Sequence, residues 1–329
     1  MYEAYYGLSE RPFSLLPDPD FLYLSKSHET ALTLLEYGFM SQAGFTVITG
    51  EIGSGKTTLS RHVLNKLDDK VTVGLITNAQ KSFGELLQWV LLAFGLDYKN
   101  KTKVELYQAF NDFLIEEYRK NHRTVLMIDE AQNLSIETME ELRMLSNINA
   151  DKHQVLQMVL LGQPELRAML RQPELEQFAQ RISVDFHLKR LNEDEAKAYI
   201  KHRLEVVGGS PDLFDDEACE AAFMLSRGTP RIINRVCDLA LVYGFAEEKQ
   251  QITAEIMLEV TMDKAEVENS TGSRLGLVKN TTSSSDADER VKSEALGGMS
   301  GAVANVQKEL QSHLDHAIDK LRKMKLPKF

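Results

Sequence analysis

Three glycines, a lysine and a threonine stand at fixed spacing in residues 50–57, in the pattern G-x-x-x-x-G-K-[ST]. The glycines permit backbone conformations closed to other residues, so that amide N–H groups can approach phosphate oxygens. Lys56 is expected to reach the β- and γ-phosphates of a nucleotide, and the hydroxyl of Thr57 to ligate Mg²⁺. The pattern therefore predicts a nucleotide site formed by Gly50, Glu51, Ile52, Gly53, Ser54, Gly55, Lys56, Thr57 and Thr58.

The residues on either side of this loop strengthen the prediction. Residues 45–49 are apolar and β-branched, as a buried parallel strand requires. Residues 58–67 carry apolar side chains at helical spacing, so the loop connects a strand to a helix whose positive dipole end faces the phosphates. The alternative is a glycine-rich turn with an exposed lysine, which these flanking segments disfavour.

Two acidic residues follow another apolar run, residues 124–130, and give a second chemical signal. Parallel α/β sheets bind ligands at the carboxyl ends of their strands, where Asp129 and Glu130 are expected to lie. Asp129 is predicted to hold Mg²⁺ through water, and Glu130 to orient and deprotonate the attacking water. A strand that ends in Asp-Glu is commonplace by itself, but its pairing with the phosphate loop favours catalysis.

Two further polar residues are candidates for contacts with the nucleotide. Gln163 follows the predicted strand 155–162, where its amide could sense the γ-phosphate or the attacking water; an ordinary loop residue is the alternative. Arg231 is predicted to lie in the first turn of a helix, where a cation opposes the helix dipole. An anion should compensate it, and we predict a nucleotide phosphate, with a nearby carboxylate as the alternative.

The elements that position these residues alternate between strand and helix. The fold prediction is an α/β, three-layer parallel sheet followed by a helical lid. Strands are predicted at residues 45–49, 71–76, 124–130, 155–162 and 182–188, with helices at 28–40, 58–67, 82–94, 104–121 and 136–146. Ser135, Asn192 and Asp215 are predicted helix caps, and the lid helices are predicted at 192–207, 215–226, 230–247 and 253–264.

Both ends of the sequence differ from this regular pattern. The aromatic opening segment, residues 1–40, is expected either to pack beside the adenine ring or to cover an edge of the sheet. Residues 265–300 are polar and glycine-rich, which predicts a disordered linker. Residues 301–329 show amphipathic spacing and end in basic side chains, which predicts a tail helix that binds a partner, itself or an anionic membrane; a weakly structured tail is the alternative. The predicted domains are 1–190, 191–264, 265–300 and 301–329.

Composition narrows the class of protein. The net charge of -11 disfavours a surface built to cover nucleic acid. The two cysteines, Cys219 and Cys237, lie in helical patterns and are expected to be buried thiols in a reducing compartment. A secretory signal and a membrane-spanning run are not visible, so we expect a cytoplasmic protein, with the tail as a possible peripheral contact to the inner membrane.

Six motifs together match a known family of ATPases. They are YYGL with RPF in the opening segment, GEIGSGKTT from Gly50, IDEAQ from Ile128, GQPEL from Gly162, QRI from Gln180 and GTPR from Gly228, and they span residues 1–264. On these motifs the chain resembles the AAA+ ATPases, and more narrowly the secretion ATPases of the general secretion pathway A component type. The short members of this type, linked to pilus biogenesis or to exosortase-associated polysaccharide export, are the closer match. Longer members continue into a membrane span and a peptidoglycan-binding domain, and we expect neither here.

This resemblance implies roles for several residues. Gln163 matches the first sensor of the family, and Arg231 matches the second. Arg181 matches the arginine finger that reaches the γ-phosphate of a neighbouring subunit, with Arg171 as a rival. The implied protein is a Mg²⁺-dependent, ATP-hydrolysing homo-oligomer, a ring or a filament, that powers or switches a bacterial envelope export or assembly machine.

Two other functions stay open at this point. A DNA-acting helper of the transposition-targeting or initiator kind shares these motifs, although a Ser/Gly linker stands where initiators carry a DNA-binding module. A helicase proper is disfavoured because no second motor domain is predicted. The other alternative is a nucleotide-loaded scaffold that recruits partners without hydrolysis.

Overall fold

The computed structural model describes residues 1–77, 86–150 and 153–260. The chain divides into two units, Met1–Ala265 and Glu266–Phe329, and the second lies outside the described residues. The predicted linker and tail helix therefore fall outside the description, as do parts of the helices predicted at 82–94 and 253–264. Within the described parts of the chain, no helix combines the length and the apolar character needed to cross a membrane.

A parallel sheet of five strands forms the centre of the nucleotide-binding part. Its order is β2-β3-β4-β1-β5, so β1 lies between two strands that come much later in the chain. All five strands correspond to the predicted ones, and the α/β fold is confirmed. The strands are β1 (Phe45–Gly50), β2 (Val71–Ile76), β3 (Arg123–Ile128), β4 (Leu156–Gly162) and β5 (Ile182–Leu188).

The register aligns the polar residues of interest at one edge. Thr49 of β1 pairs with Gly162 of β4, and Ile128 of β3 pairs with Leu160 of β4. The phosphate loop, the Asp129–Glu130 pair and Gln163 directly follow these strand ends. They therefore meet at the carboxyl edge of the sheet, beside the point where the strand order reverses.

Buried side chains alternate between the two faces of the sheet, as strand geometry requires. Phe45, Val47 and Leu126 pack in a core with the later helices, whereas Ile48 and Met127 pack with the helices that precede and follow β1. Both faces are thus covered by helices, which gives three layers and explains why the strands read as continuous apolar runs.

A second, two-stranded sheet is formed by the antiparallel segments Asn149–Ala150 and His153–Gln154. Helices cover both faces of the main sheet and continue after β5. They are α1 (Tyr2–Tyr5), α2 (Lys26–Met40), α3 (Lys56–Asn65), α4 (Leu86–Ala93), α5 (Lys103–Arg119), α6 (Ile136–Leu145), α7 (Pro164–Met169), α8 (Glu176–Ala179), α9 (Glu193–Val206), α10 (Asp216–Ser226) and α11 (Pro230–Ala246). Residues 254–260 are also helical.

Side-chain caps define the beginnings of several of these helices. Ser135, Asn192 and Asp215 each accept a hydrogen bond from the backbone N–H three residues later, as predicted. The two thiols, Cys219 and Cys237, are buried and free, also as predicted. Three short helices, α1, α7 and α8, were not predicted, because four to six residues are too few to show a helical period.

The aromatic opening segment packs against the helical part. Tyr2, Leu8, Phe13 and Phe21 share a buried core with α9, α10 and α11, and the rings of Phe13 and Phe214 lie 5.7 Å apart. The residues before α2 therefore lie against the helical part, whereas α2 at the end of the segment packs against β5, an edge strand of the sheet.

Candidate active site

A cavity of about 300 Å³ opens where the phosphate loop meets the opening segment and the helical part. Its polar lining includes residues of the loop, the start of α3 and Glu130, and its apolar lining includes Leu22 and Leu191. Of the predicted nucleotide-contacting residues, it is lined by Ile52, Gly53, Gly55, Lys56, Thr57, Thr58, Glu130 and Arg231.

The loop has the backbone conformation that its glycines permit. Gly53 and Gly55 have φ values of +76° and +96°, in the left-handed region that other residues rarely adopt. Gly55 is the N-cap of α3 and has no side chain to accept from the first turn. The N–H groups of that turn lack intrahelical acceptors, so they can donate to an anion at the positive end of the helix dipole.

Lys56 is held inside the loop rather than extended into solvent. It is 6% exposed, and its Nζ donates to the carbonyl oxygens of Gly50 at 2.7 Å and Glu51 at 3.0 Å. Burial lowers the pKa of Lys56, while the carboxylates of Glu130 and Asp129 oppose that effect. An ammonium group has three N–H donors, so one is left for a phosphate oxygen.

Thr57 and Asp129 supply two neighbouring oxygen ligands. The Thr57 Oγ1 donates to Asp129 Oδ2 at 2.9 Å, and Asp129 Oδ1 accepts from the N–H of Glu130 at 2.9 Å. Asp129 is 8% exposed, so this carboxylate sits in the protein rather than on its surface. Among the described residues, no cluster of three or more His, Cys, Asp or Glu could hold a metal. The Thr57 hydroxyl and the Asp129 carboxylate nevertheless suit Mg²⁺, which usually takes one or two protein oxygens and completes its shell with phosphate and water.

The carboxylate of Glu130 is oriented by two amide side chains. Its Oε2 accepts from Gln163 Nε2 at 2.9 Å and from Gln132 Nε2 at 2.5 Å. The Oε1 of Gln132 in turn accepts from the backbone N–H of Gln163 at 3.0 Å, which closes a ring of three residues. A role for Gln132 was not predicted, although this residue ends the IDEAQ motif, two positions after Glu130.

Electrostatics keep this carboxylate ionised. Burial by itself would raise the pKa of Glu130, but the hydrogen bonds from Gln163 and Gln132 and the charge of Lys56 outweigh it, so the pKa lies below its usual range. Glu130 also has a left-handed backbone, with φ of +56°, which costs a non-glycine residue about 1–2 kcal/mol. This conformation turns the chain sharply after β3 and points Gln132 back toward Glu130.

Arg231 connects the helical part to the phosphate loop. Its backbone N–H, in the first turn of α11, donates to the Gly53 carbonyl oxygen at 3.2 Å. Pro230 precedes it at the start of the helix and has no N–H, so the loop carbonyl satisfies one of the remaining unpaired donors. Arg231 is exposed and lines the cavity, as Lys56 and Gly53 do.

The other two arginines do not line this cavity. Arg181 donates from NH1 to Ser146 Oγ at 2.7 Å and to the Arg143 carbonyl oxygen at 3.4 Å, at the carboxyl end of α6. That position also favours a cation for structural reasons, because it faces the negative end of the helix dipole. Arg171 is exposed after α7. A contact of either arginine with a neighbouring subunit stays a prediction.

The remaining loop residues differ in their exposure. Ser54 is buried, and its Oγ has no hydrogen-bond partner. Ile52 is 59% exposed at the rim of the cavity. The carboxylate of Glu51 faces outward toward Arg190 at 3.7 Å, while its carbonyl oxygen accepts from Lys56. Glu51 therefore contributes its backbone to the site.

Comparisons with known proteins identify a domain family and two relatives. Residues 39–170 match the model of an AAA domain. General secretion pathway protein A of Aeromonas hydrophila is 40% identical over 253 residues, which cover 77% of this chain and 46% of that protein. The RuvB subunit of the Holliday junction branch migration complex of Fervidobacterium nodosum is 26% identical over 238 residues, 68% of this chain and 59% of that protein. The chain thus spans less than two thirds of either relative.

Solved structures share the fold at low sequence identity. The Aeropyrum pernix ORC2 protein superposes with a TM-score of 0.58 and 18% identity, covering 77% of this chain and 71% of that one. CDC6P of Pyrobaculum aerophilum gives a TM-score of 0.56 at 14% identity, with 72% and 68% covered. At these identities the likeness extends to the fold alone.

Proposed function

The chain is an AAA protein homologous to general secretion pathway protein A, and from this premise we propose that it is a Mg²⁺-dependent ATPase of an envelope export or assembly machine. The ATPase part of this proposal rests on one observation, that residues following the ends of β1, β3 and β4 meet at one place. The Thr57–Asp129 pair, the Glu130–Gln163 pair and the buried Lys56 lie at one edge of the sheet.

Binding of ATP would use both the polar and the apolar residues that line the cavity. The loop N–H groups, Lys56 and Arg231 would neutralise the triphosphate, and apolar residues such as Leu22 and Leu191 would accept the base. Thr57 and Asp129 would hold Mg²⁺, which supplies neutralisation of the phosphate charge when bound. The cavity is lined by three cationic side chains, Lys56, Arg203 and Arg231, and by two carboxylates, Asp18 and Glu130. Oriented backbone N–H groups would therefore contribute much of the attraction for the phosphates.

Hydrolysis would depend on the ionised Glu130. Its free Oε1 can accept a proton from a water molecule, while Oε2 stays hydrogen-bonded to the two amides. Because phosphoryl transfer relies chiefly on positioning and electrostatics, a fixed carboxylate next to the phosphate loop is the arrangement that the reaction needs. Gln163 holds this carboxylate and adjoins the same edge, where it could also contact the γ-phosphate.

The proposed cellular role is inferred from the similarity to general secretion pathway protein A. The name of the Aeromonas hydrophila protein assigns that protein to general secretion, and this chain covers about half of it. We propose that ATP turnover here powers or switches the export of protein or polysaccharide, in an oligomer whose subunits contact one another's sites through Arg181. The partner proteins would belong to the export machine.

Steady-state ATP hydrolysis with Mg²⁺ and with EDTA tests the enzymatic part. We expect Mg²⁺-dependent turnover in the wild type, its loss in Lys56→Met, and no change in Lys66→Met, which removes an exposed lysine from the end of the same helix. A wild type that binds ATP without any turnover, alone or when concentrated, would instead support the scaffold alternative.

The export part has a separate test. A gene-deletion strain complemented with the wild type or with Lys56→Met is compared for secreted protein and surface polysaccharide. We expect only the wild type to restore export. Equal export in both strains would overturn this part of the proposal and leave the ATPase assignment untouched.

A further inference from the structure

His28 connects α2 to the phosphate loop. Its side chain is 3% exposed and lies one turn after Ser25, the N-cap of α2. The ring makes two hydrogen bonds: Nδ1 lies 2.7 Å from Ser25 Oγ, and Nε2 lies 3.0 Å from the carbonyl oxygen of Ser54. Ser54 belongs to the loop, so a residue 26 positions earlier in the chain contacts the backbone of the phosphate site.

The two partners determine which ring nitrogen carries the proton. A carbonyl oxygen only accepts, so Nε2 must be the donor to Ser54. In the neutral ring Nδ1 is then the acceptor, and the hydroxyl of Ser25 donates to it. Burial lowers the pKa of His28, which is consistent with this neutral form.

The hydrogen bond to Ser54 fixes a peptide group of the loop. The described backbone has no cis peptide bonds, and in a trans peptide the C=O and the following N–H point in opposite directions. Holding the Ser54 oxygen toward His28 therefore turns the N–H of Gly55 away from it. We propose that His28 is a positioning residue that aims the Gly55 N–H at a phosphate of the bound nucleotide, an inference that rests on the proposed function.

The peptide group between Ser54 and Gly55 needs such a constraint, because the hydrogen bonds inside the loop hold the carbonyls of Gly50 and Glu51 instead. Gly53 and Gly55 flank Ser54, and glycine peptide groups rotate at low cost. The side-chain hydroxyl of Ser54 has no partner of its own. A Cβ at Gly55 would lie 3.0 Å from His28 Nε2, so the ring packs directly against the backbone that it orients.

Direct nucleotide binding to the full chain tests the inference. The variants are His28→Gln, which keeps an N–H donor, and His28→Met, which has similar length and no donor. Titration with fluorescent ADP and ATP analogues should give wild-type affinity for the glutamine variant. For the methionine variant we expect binding to be about ten- to hundredfold weaker, the range for a hydrogen bond to a charged group. His122→Met, at the opposite edge of the sheet beside Glu117, is the matched control and should bind as the wild type does.

Competition by adenosine separates positioning from a structural role. Adenosine has no phosphate, so its affinity should be the same in the glutamine and methionine variants. An equal loss of adenosine and ADP binding would overturn the proposal, and so would wild-type ADP affinity in the methionine variant. Failure of the wild type to bind any nucleotide would instead overturn the proposed function.

Ser25→Ala provides a second route should His28→Met not fold. It keeps the imidazole ring but removes the hydroxyl that donates to Nδ1. The tautomer with its proton on Nε2, which donates to Ser54, is then less strongly favoured. We expect ADP binding to weaken by about two- to tenfold, the range for a neutral hydrogen bond, with adenosine binding unchanged. Unchanged ADP affinity in a folded Ser25→Ala variant would contradict the proposal.

Discussion

At the scale of single residues, the ring formed by Glu130, Gln132 and Gln163 is the feature that most directly concerns catalysis. One carboxylate oxygen accepts two amide N–H groups, which leaves the other oxygen for water. The motif spacing predicted positions for Lys56, Thr57, Asp129, Glu130 and Gln163, and the structure brings them together. Gln132 could not be predicted in the same way, because its contact depends on the left-handed conformation of Glu130, which a glutamate does not signal.

The Gln132 hydrogen bond leads to a prediction about pH dependence. Hydrolysis needs ionised Glu130, so activity falls as the pH drops through the pKa of that residue. Gln132→Met removes one of the interactions that lower this pKa. The pKa should rise, and the acidic limb of the kcat profile should move to higher pH. Gln172→Met, which changes an exposed glutamine, should leave the profile in place, and an unshifted limb in Gln132→Met would contradict the assigned contact.

At the scale of elements, the site depends on a contact between the phosphate loop and α11. The Arg231 N–H donates to the Gly53 carbonyl, and a Cβ at Gly53 would lie only 2.4 Å from the Arg231 Cβ. The strand, the helix and the Gly-Thr-Pro-Arg step were each predictable from local patterns. Their contact was not, because no local signal specifies which carbonyl satisfies the first N–H groups of α11.

Gly53→Ala tests this contact, with Gly208→Ala as the matched control. Both glycines have nearly the same positive φ, +76° and +75°, but position 208 has nothing within 4 Å of an added Cβ. We expect Gly208→Ala to lower the free energy of unfolding by about 1 kcal/mol from backbone strain alone. Gly53→Ala should cost more, because the added methyl group pushes α11 away, and it should also weaken ADP binding. Equal costs in urea unfolding, with ADP affinity unchanged, would show that the contact is unimportant.

Other elements show which parts of the fold could be predicted from the sequence. Apolar runs predicted all five strands, because buried parallel strands have few polar residues. The helix caps at Ser135, Asn192 and Asp215 were also predictable from residue type. The strand order and the packing of the aromatic opening segment against the helical part depend on long-range contacts, which local patterns do not encode.

At the scale of the whole molecule, the two candidate finger arginines lie away from the cavity lining of their own chain. Arg181 is bound at the end of α6, and Arg171 is exposed. Assembly of subunits was inferred from a resemblance, and a single chain carries no sign of which surface meets a neighbour. An arginine that acts on another subunit can nevertheless be tested without knowing the number of subunits.

Mixed oligomers test the finger. Arg181→Ala should lower the ATP turnover that assembly of subunits stimulates by about 10³–10⁵-fold, while ATP affinity stays largely intact. Mixing it with an inactive Glu130→Gln variant should restore part of the activity. In such a mixture, an Arg181→Ala subunit keeps its own Glu130 and can receive Arg181 from a neighbouring Glu130→Gln subunit. Restoration with Arg171→Ala in place of Arg181→Ala would transfer the role to Arg171, and absence of any restoration with either would argue against an arginine contributed by a neighbour.

We propose that one edge of the sheet both binds ATP and deprotonates the water that cleaves it. Parallel measurement of ATP affinity and single-turnover hydrolysis in Glu130→Gln tests this claim most directly, since the amide keeps the side chain's size and removes its basic oxygen. We predict wild-type affinity for Mg-ATP with hydrolysis reduced by at least about a hundredfold, the lower range for loss of a general base. Hydrolysis close to the wild-type rate in that variant would contradict the account.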